Sequence, residues 1–138
     1  NVYGPRQNPK GEAGVVAIFI GKMLAGEQPV INGDGMFTRD YVFIKDVVAA
    51  NIAALNSEMS GTYNVGTGVE TDVNFIFRTL ASMINPDCPE QHGPAKAGEQ
   101  RRSVITSEKL HKACGWTPSL DFAEGLRYTV ESFRKAQS

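Results

Sequence analysis

The chain has 138 residues, enough for one domain with a buried core, and 41% of them are hydrophobic against 21% charged. Its formal net charge is −1, so no sequence-wide basic field favours nucleic acid or an anionic membrane surface. The longest apolar runs are far shorter than a membrane span. Two cysteines, Cys88 and Cys114, form neither a disulfide framework nor a metal spacing, and we expect both to be reduced thiols in a cytoplasmic protein.

Two helices are predicted in the first 60 residues. Apolar side chains between Val16 and Leu24 recur at the spacing of one helix face, and Gly26 follows as a stop signal. A second helix is predicted from Asp46, whose carboxylate is favourable in a first turn. Its apolar residues form a stripe that we expect to face the core, made of Val48, Ile52 and Leu55.

Each of three later helices is predicted from a side chain that can cap its first turn: Asp72, Thr106 and Asp121. The first of them is expected to end at Asn85 and the second at Gly115. In the last helix, Glu124 follows Asp121 by three residues, which is the spacing of a capping box. The residues expected to be buried are Ile76, Leu80, Met83, Phe122, Leu126, Val130 and Phe133.

Short strands are predicted between these helices, at residues 29–32, 39–43, 62–65 and 102–105, and residues 1–5 read as the end of a further strand. The mixed order of elements, rather than a strict alternation of strand and helix, favours a small α/β or α+β lobe. Residues 86–100 form the longest irregular stretch, and loops of this length in a compact domain are usually functional or mobile.

The most informative segment is residues 33–47, which read GDGMFTRDYVFIKDV. A glycine turn leads into a strand that begins with Arg39, and a guanidinium fork suits a diphosphate because it is always charged and binds two oxygens at once. Together with the opening NVYGPRQ at residues 1–7, this segment resembles the NAD-dependent epimerase/dehydratase family of extended short-chain dehydrogenases, and within it most of all the UDP-glucose 4-epimerases.

The resemblance implies that residues 1–138 are the C-terminal nucleotide-sugar-binding domain of a longer enzyme whose NAD-binding Rossmann half is missing. The sequence has no glycine-rich dinucleotide fingerprint, and the GTG at residues 66–68 is interpreted as a strand-to-helix turn rather than a phosphate loop. His92 and His111 are interpreted as solvated side chains. We therefore expect NAD and the catalytic Tyr-x-x-x-Lys pair in the N-terminal half, and no activity from this chain alone.

Four positions match the diphosphate-binding side of the family. Asn1 corresponds to an asparagine that hydrogen-bonds the sugar diphosphate, and Arg39 corresponds to the diphosphate-binding arginine. Val15 and Val16 fall at the start of a helix whose backbone amides face the nucleotide, and a helix N-terminus offers unpaired N–H donors to phosphate. An ordinary surface ion pair with Asp40 is the alternative for Arg39.

The remaining positions match the nucleoside and sugar side. The strand that runs alongside uracil in the family corresponds to Val30, Ile31 and Asn32. Glu99 corresponds to the carboxylate that accepts hydrogen bonds from the ribose, and Lys96 replaces a more usual arginine, with Arg101 and Arg102 as nearby cations that could compensate. Ser103 corresponds to a gatekeeper beside the C2 substituent, and its small side chain predicts tolerance of N-acetylated sugars.

The resemblance therefore predicts a UDP-sugar ligand and a 4-epimerase that acts on UDP-glucose and UDP-galactose. It also implies a homodimeric parent, since family dimers pair through the N-terminal half, and leaves the oligomeric state of this chain open. Two alternatives remain: a nucleotide-sugar 4,6-dehydratase or UDP-glucuronate decarboxylase, and a nucleotide-sugar-binding module without catalysis.

Overall fold

A computed structural model describes residues 1–10 and 14–137. The helices of the described residues are α1 (Val15–Leu24), α2 (Ile44–Leu55), α3 (Val73–Ile84), α4 (Glu108–Cys114) and α5 (Phe122–Gln137). The strands are two residues long: β1 (Val2–Tyr3), β2 (Ile31–Asn32), β3 (Thr38–Arg39), β4 (Val42–Phe43), β5 (Thr71–Asp72), β6 (His92–Gly93) and β7 (Arg102–Ser103). None of the described helices has the length and apolar character to cross a bilayer. The predicted mixed α/β class is confirmed.

The strands pair in three small sheets. β1 is parallel to β4, and β2 is parallel to β6. The third sheet has the order β5-β3-β7, with β3 antiparallel to β5 and parallel to β7. In this sheet Arg39 is aligned with Thr71 on one side and with Ser103 on the other. The register therefore places the arginine in the middle of a three-residue row.

Two strand predictions and one loop prediction need correction. The strand predicted at residues 39–43 is two strands in different sheets, because the carboxylate of Asp40 turns inward to accept hydrogen bonds from Thr67 and Gly68 and interrupts the ladder. Residues 62–65 form no strand; instead Tyr63 and Val65 pack beside Trp116. The stretch predicted as irregular, residues 86–100, contains β6, which pairs with β2.

The main core lies where α1, α3 and α5 meet. The rings of Phe19 and Phe77 pack edge to face with their centres 5.8 Å apart, and Ile20, Leu80 and Leu126 are fully buried around them. This is the apolar face that the helical periodicity predicted for all three helices. A smaller cluster forms around Trp116. The core holds the start of α1 against the sheets, and that position matters for the site.

The predicted helix ends are mostly confirmed. Asp72 accepts a hydrogen bond from the Phe75 N–H at 2.8 Å, and Asp121 accepts one from the Glu124 N–H at 2.8 Å. Gly115 ends α4 with φ +74°, the left-handed conformation that glycine adopts at little cost. Thr106 accepts a 3.2 Å hydrogen bond from the Glu108 N–H, but the residue that directly precedes α4 is Ser107.

The prediction for the buried face of α2 is wrong. Val48, Ile52 and Leu55 are 48%, 54% and 87% exposed. The helix is turned the other way because the buried carboxylate of Asp46 accepts hydrogen bonds from the N–H and the hydroxyl of Ser119, at 3.0 and 2.5 Å. The indole N–H of Trp116 also donates to the backbone carbonyl of Asp46 at 2.9 Å. These polar contacts determine the rotation of the helix.

We predict that this difference between α3 and α2 is measurable in urea unfolding of the 138-residue chain. Leu80→Ala removes a fully buried side chain and is expected to lower the free energy of unfolding by about 3 kcal/mol. Leu55→Ala, the matched control, changes an exposed leucine and is expected to cost about 0.5 kcal/mol or less. Equal losses would contradict the orientation of α2.

Candidate functional site

A cavity of about 280 Å³ opens where β1, the start of α1, β2 and β3 come together. Its lining includes both charged and apolar side chains, as is usual for pockets that bind small molecules. Eight of the ten residues predicted from the sequence line it: Asn1, Val15, Val16, Val30, Asn32, Arg39, Lys96 and Glu99. The tertiary fold thus brings together positions that are up to 98 residues apart in the sequence.

The other two predicted residues, Ile31 and Ser103, do not line the cavity. The Ile31 side chain is fully buried in the core, and its N–H donates to the carbonyl of Gln91 at 2.9 Å. Because alternate residues of a strand point in opposite directions, this burial directs Val30 and Asn32 toward the cavity. Ser103 lies one strand away from it, aligned with Arg39.

Arg39 brings a positive charge to the cavity. One of its terminal guanidinium nitrogens donates to the carbonyl of Thr38 at 2.8 Å. Within residues 1–10 and 14–137, however, the structure shows no ion pair for this side chain, and the alternative of a pair with Asp40 is not found. The guanidinium is therefore available to an anionic ligand.

The N-terminus of α1 adds backbone donors to the same cavity. Gly14 precedes the helix in an extended conformation, and no side chain of the described residues caps it. The first N–H groups of a helix lack intrahelical partners, and they carry the positive end of the helix dipole. Since Gly14, Val15 and Val16 all line the cavity, these donors lie beside the charge of Arg39.

The two further arginines that were considered as compensating cations have other partners. Arg102 forms a two-pronged ion pair with Glu70, with nitrogen–oxygen distances of 2.9 and 2.6 Å. Arg101 contacts Asp34 at 3.4 Å. Neither lines the cavity, so Lys96 is the second cation of the lining, after Arg39.

Tyr41 is a cavity residue that the sequence reading missed. It is 8% exposed, and its ring packs on Phe122 with the centres 5.4 Å apart. Burial raises the pKa of Tyr41 to about 12, an effect that Arg39 opposes and Glu99 reinforces. The phenol therefore stays protonated at neutral pH and can act as a donor. Its position two residues after Arg39 was the sequence signal, since residues two apart in an extended segment share a face.

Tyr41 and Lys45 also have the spacing of a Tyr-x-x-x-Lys pair, although no such pair was expected in this chain. They do not act as one. Tyr41 precedes β4, whereas Lys45 lies in the first turn of α2 with its ammonium 5.6 Å from the centre of the Tyr128 ring. A proton-transfer tyrosine also needs a pKa near the working pH, and that of Tyr41 is raised.

The turn at residues 66–68 does not hold a phosphate. The N–H groups of Thr67 and Gly68 donate to the carboxylate of Asp40 at 2.9 Å each, and the Thr67 hydroxyl donates to it at 2.6 Å. An internal carboxylate thus already occupies the donors of this turn. The interpretation as a strand-to-helix turn is only partly right, because residues 62–65 form no strand and β5 lies between the turn and α3. The described residues also contain no cluster of ligating side chains that could hold a metal ion.

His92 is exposed, as its interpretation as a solvated side chain predicts, but both of its ring nitrogens also contact the protein. Its Nδ1 contacts the carbonyl of Gly33 at 2.7 Å, and its Nε2 contacts Glu90 at 3.1 Å. Glu90 in turn accepts hydrogen bonds from Arg78 at 2.8 and 3.1 Å. These contacts connect β6 to the loop after β2, next to the cavity. His111 is exposed on α4, as expected.

The family model and several of the curated proteins that match this chain concern epimerases and dehydratases. Residues 1–66 match the model of the "NAD dependent epimerase/dehydratase family". A UDP-glucose 4-epimerase of Mycolicibacterium smegmatis is 48% identical over 136 residues, which cover 97% of this chain and 43% of that protein. The chain thus spans less than half the length of this curated relative. Matches to dTDP-glucose 4,6-dehydratases are more distant, at 31% identity and below.

Two solved structures are close in fold. The crystal structure of a UDP-glucose 4-epimerase from Thermotoga maritima with UDP-glucose has a TM-score of 0.95 and 45% identity, and the match covers 100% of this chain and 45% of that one. A UDP-N-acetylglucosamine 4-epimerase from Methanobrevibacter ruminantium M1, in complex with UDP-N-acetylmuramic acid, has a TM-score of 0.93 and 33% identity, covering 99% and 44%. The described fold corresponds to the C-terminal part of such enzymes.

The contacts of His92, at the edge of the cavity, predict that its contribution to folding stability depends on pH. The hydrogen bond to the Gly33 carbonyl and the contact with Glu90 raise the pKa of His92 above its ordinary 6.5. Because the folded-state pKa is raised, the stabilisation is fully present below pH 6.5 and is lost as the pH rises through the folded-state value. An NMR titration should give His92 a pKa above 6.5, with His111 as the exposed reference. A value at or below 6.5 would contradict the contacts.

Proposed function

Because this chain belongs to the NAD dependent epimerase/dehydratase family, we propose that it is the nucleotide-sugar-binding domain of an NAD-dependent UDP-glucose 4-epimerase. The observation that carries the proposal is the cavity in which Arg39, Lys96 and Glu99 meet the free amides of α1. The M. smegmatis relative is a UDP-glucose 4-epimerase, and the T. maritima structure is a complex with UDP-glucose. Both support UDP-sugar as the ligand class.

In this proposal each part of the cavity binds one part of UDP-sugar. Arg39 and Lys96 neutralise the diphosphate, and the amides at the start of α1 donate to its oxygens. Glu99 accepts hydrogen bonds from the ribose hydroxyls. The backbone groups of Val30 and Asn32, which point away from β6, lie along the base. The hexose extends from the diphosphate past Asn1 and is open to reaction from outside this domain.

The domain positions the substrate, and NAD binds elsewhere in the parent protein. The residues of this chain do not fit a dinucleotide, because the donors of its glycine turn at residues 66–68 are taken by Asp40. When bound, NAD supplies the hydride exchange at C4 of the sugar. This chain contributes a fixed diphosphate, which lets the hexose turn without leaving the site. The chain alone is predicted to be inactive.

Exposed apolar surface on this domain is proposed to contact the rest of the parent protein. Val48, Ile52 and Leu55 form an apolar stripe on α2, and Val2 on β1 is 42% exposed. An apolar stripe of this kind favours contact with another surface. The homodimeric state of the parent and its cytoplasmic location remain predictions.

Two alternatives use the same cavity. A 4,6-dehydratase or UDP-glucuronate decarboxylase would bind the same diphosphate, but the closer similarity to epimerases favours epimerisation. A binding module without catalysis would show UDP binding and no turnover. Conversion of UDP-galactose to UDP-glucose by the full-length protein therefore discriminates among the three, and its absence would refute the epimerase.

The role of Arg39 is tested by Arg39→Ala. We expect calorimetric titration of the full-length protein with UDP to show an affinity about 10- to 100-fold lower, because a charge-assisted two-pronged contact to the diphosphate is lost. Arg101→Ala is the matched control, since that arginine lies outside the cavity and contacts Asp34. Unchanged UDP affinity in Arg39→Ala would remove this residue from the site.

The role of Ser103 is tested with N-acetylated sugars. Its alignment with Arg39 on the neighbouring strand supports a position near the proposed diphosphate, on the side where the C2 substituent of the sugar would lie. We expect the full-length protein to convert both UDP-galactose and UDP-N-acetylgalactosamine in coupled assays. Ser103→Tyr should lower turnover of the N-acetylated sugar about tenfold or more and spare UDP-galactose, because the larger ring fills the space of the acetamido group. No activity of the unmodified enzyme on N-acetylated sugars would refute the assignment.

A further inference from the structure

We infer that Asp40 is a positioning residue for the diphosphate site: its buried carboxylate holds the strand that carries Arg39 and is thereby withheld from the guanidinium beside it. The inference rests on the proposed function, because it needs Arg39 to bind the diphosphate. Asp40 does not line the cavity, so it acts through its neighbour.

Asp40 is a buried acid that is satisfied by donors other than a cation. It is 6% exposed, and the structure shows no ion pair for it among the described residues. Its two oxygens accept the Thr67 N–H at 2.9 and 3.0 Å, the Thr67 hydroxyl at 2.6 Å and the Gly68 N–H at 2.9 Å. The Ile105 N–H adds a longer contact at 3.5 Å. Both carboxylate oxygens therefore have hydrogen-bond donors within the described residues.

These contacts connect three separate parts of the chain. Asp40 directly follows β3, and Ile105 lies two residues after β7, so the carboxylate links the ends of the two strands that align Arg39 with Ser103. The turn at residues 66–68 completes the connection. A Cβ added at Gly66 would lie 2.8 Å from an oxygen of Asp40 and 2.4 Å from a side-chain carbon of Ile105, so only glycine fits there.

The arrangement also keeps two opposite charges apart. Arg39 and Asp40 are consecutive in an extended segment, and consecutive side chains of such a segment point to opposite faces. Arg39 therefore points to the cavity and Asp40 points to the turn. If the carboxylate were released from its donors, it could approach the guanidinium and compete with a diphosphate for it. The donors of the turn thus preserve the charge available to the ligand.

The inference is tested on the full-length protein with two ligands, UDP and uridine. Because uridine lacks the diphosphate, a change at Arg39 alters the affinity for UDP and leaves the affinity for uridine unchanged. In Asp40→Asn, the amide nitrogen must face N–H donors, which breaks part of the contact set. We expect the ratio of UDP affinity to uridine affinity to fall about tenfold. Thermal unfolding is measured in parallel.

Ser107→Ala is the matched control in the same turn. The Ser107 hydroxyl accepts the Gly66 N–H at 2.7 Å and donates to the Gly66 carbonyl at 2.8 Å, but it does not contact Asp40. This variant should lower the unfolding temperature with the affinity ratio unchanged within about twofold. If Asp40→Asn does not fold, Thr67→Val replaces it. This variant keeps the Thr67 N–H contact and removes the hydroxyl, which donates to Asp40 and accepts the Val69 N–H at 3.2 Å. The ratio should then fall about threefold.

The outcomes separate this inference from the proposed function. An unmodified protein that does not bind UDP refutes both. If the unmodified protein binds UDP but the ratio of UDP affinity to uridine affinity is the same in Asp40→Asn and Ser107→Ala, the positioning role is refuted and the proposed function stands. If Asp40→Asn lowers the affinities for UDP and uridine equally, the positioning role is refuted as well, because such a loss shows a general loosening of the site.

Discussion

The proposed ligand site depends on how the structure arranges two adjacent opposite charges. Arg39 carries its charge into the cavity without a carboxylate partner among the described residues, while Asp40, the next residue, is buried and bonded to backbone amides. A cation in a partly enclosed cavity is costly to desolvate unless an anion compensates it. The fold thus leaves a positive charge in this cavity, and the proposed diphosphate site depends on that charge.

The rest of the structure holds this site in place. The core of α1, α3 and α5 fixes the position at which α1 begins, and its free amides therefore face the same cavity as Arg39. β2 is aligned by its pairing with β6, and His92 ties that pair to Gly33. Most of the binding groups proposed here are backbone amides and charged side chains. In the proposed function they hold the nucleotide end of the ligand while its sugar reacts.

Local sequence patterns predicted the features that depend on near neighbours. The buried faces of α1, α3 and α5 follow from apolar spacing, since each has one wide apolar stripe that excludes water only when packed inward. The caps at Asp72 and Asp121 follow from side chains three residues away from the amides they bind. Family resemblance identified eight of the residues that line the cavity, because these positions keep the same spacing to recognisable motifs.

By itself, then, the sequence determined the class of fold, the presence of five helices, the caps at Asp72 and Asp121, and Arg39 as the prominent charge. Only the tertiary structure decided how α2 is turned, because the contacts of Asp46 come from Ser119 and Trp116, about 70 residues away. It also decided that residues 39–43 divide between two sheets. These features depend on hydrogen bonds and burial between distant segments, and a local pattern carries no information about partners that only folding brings together.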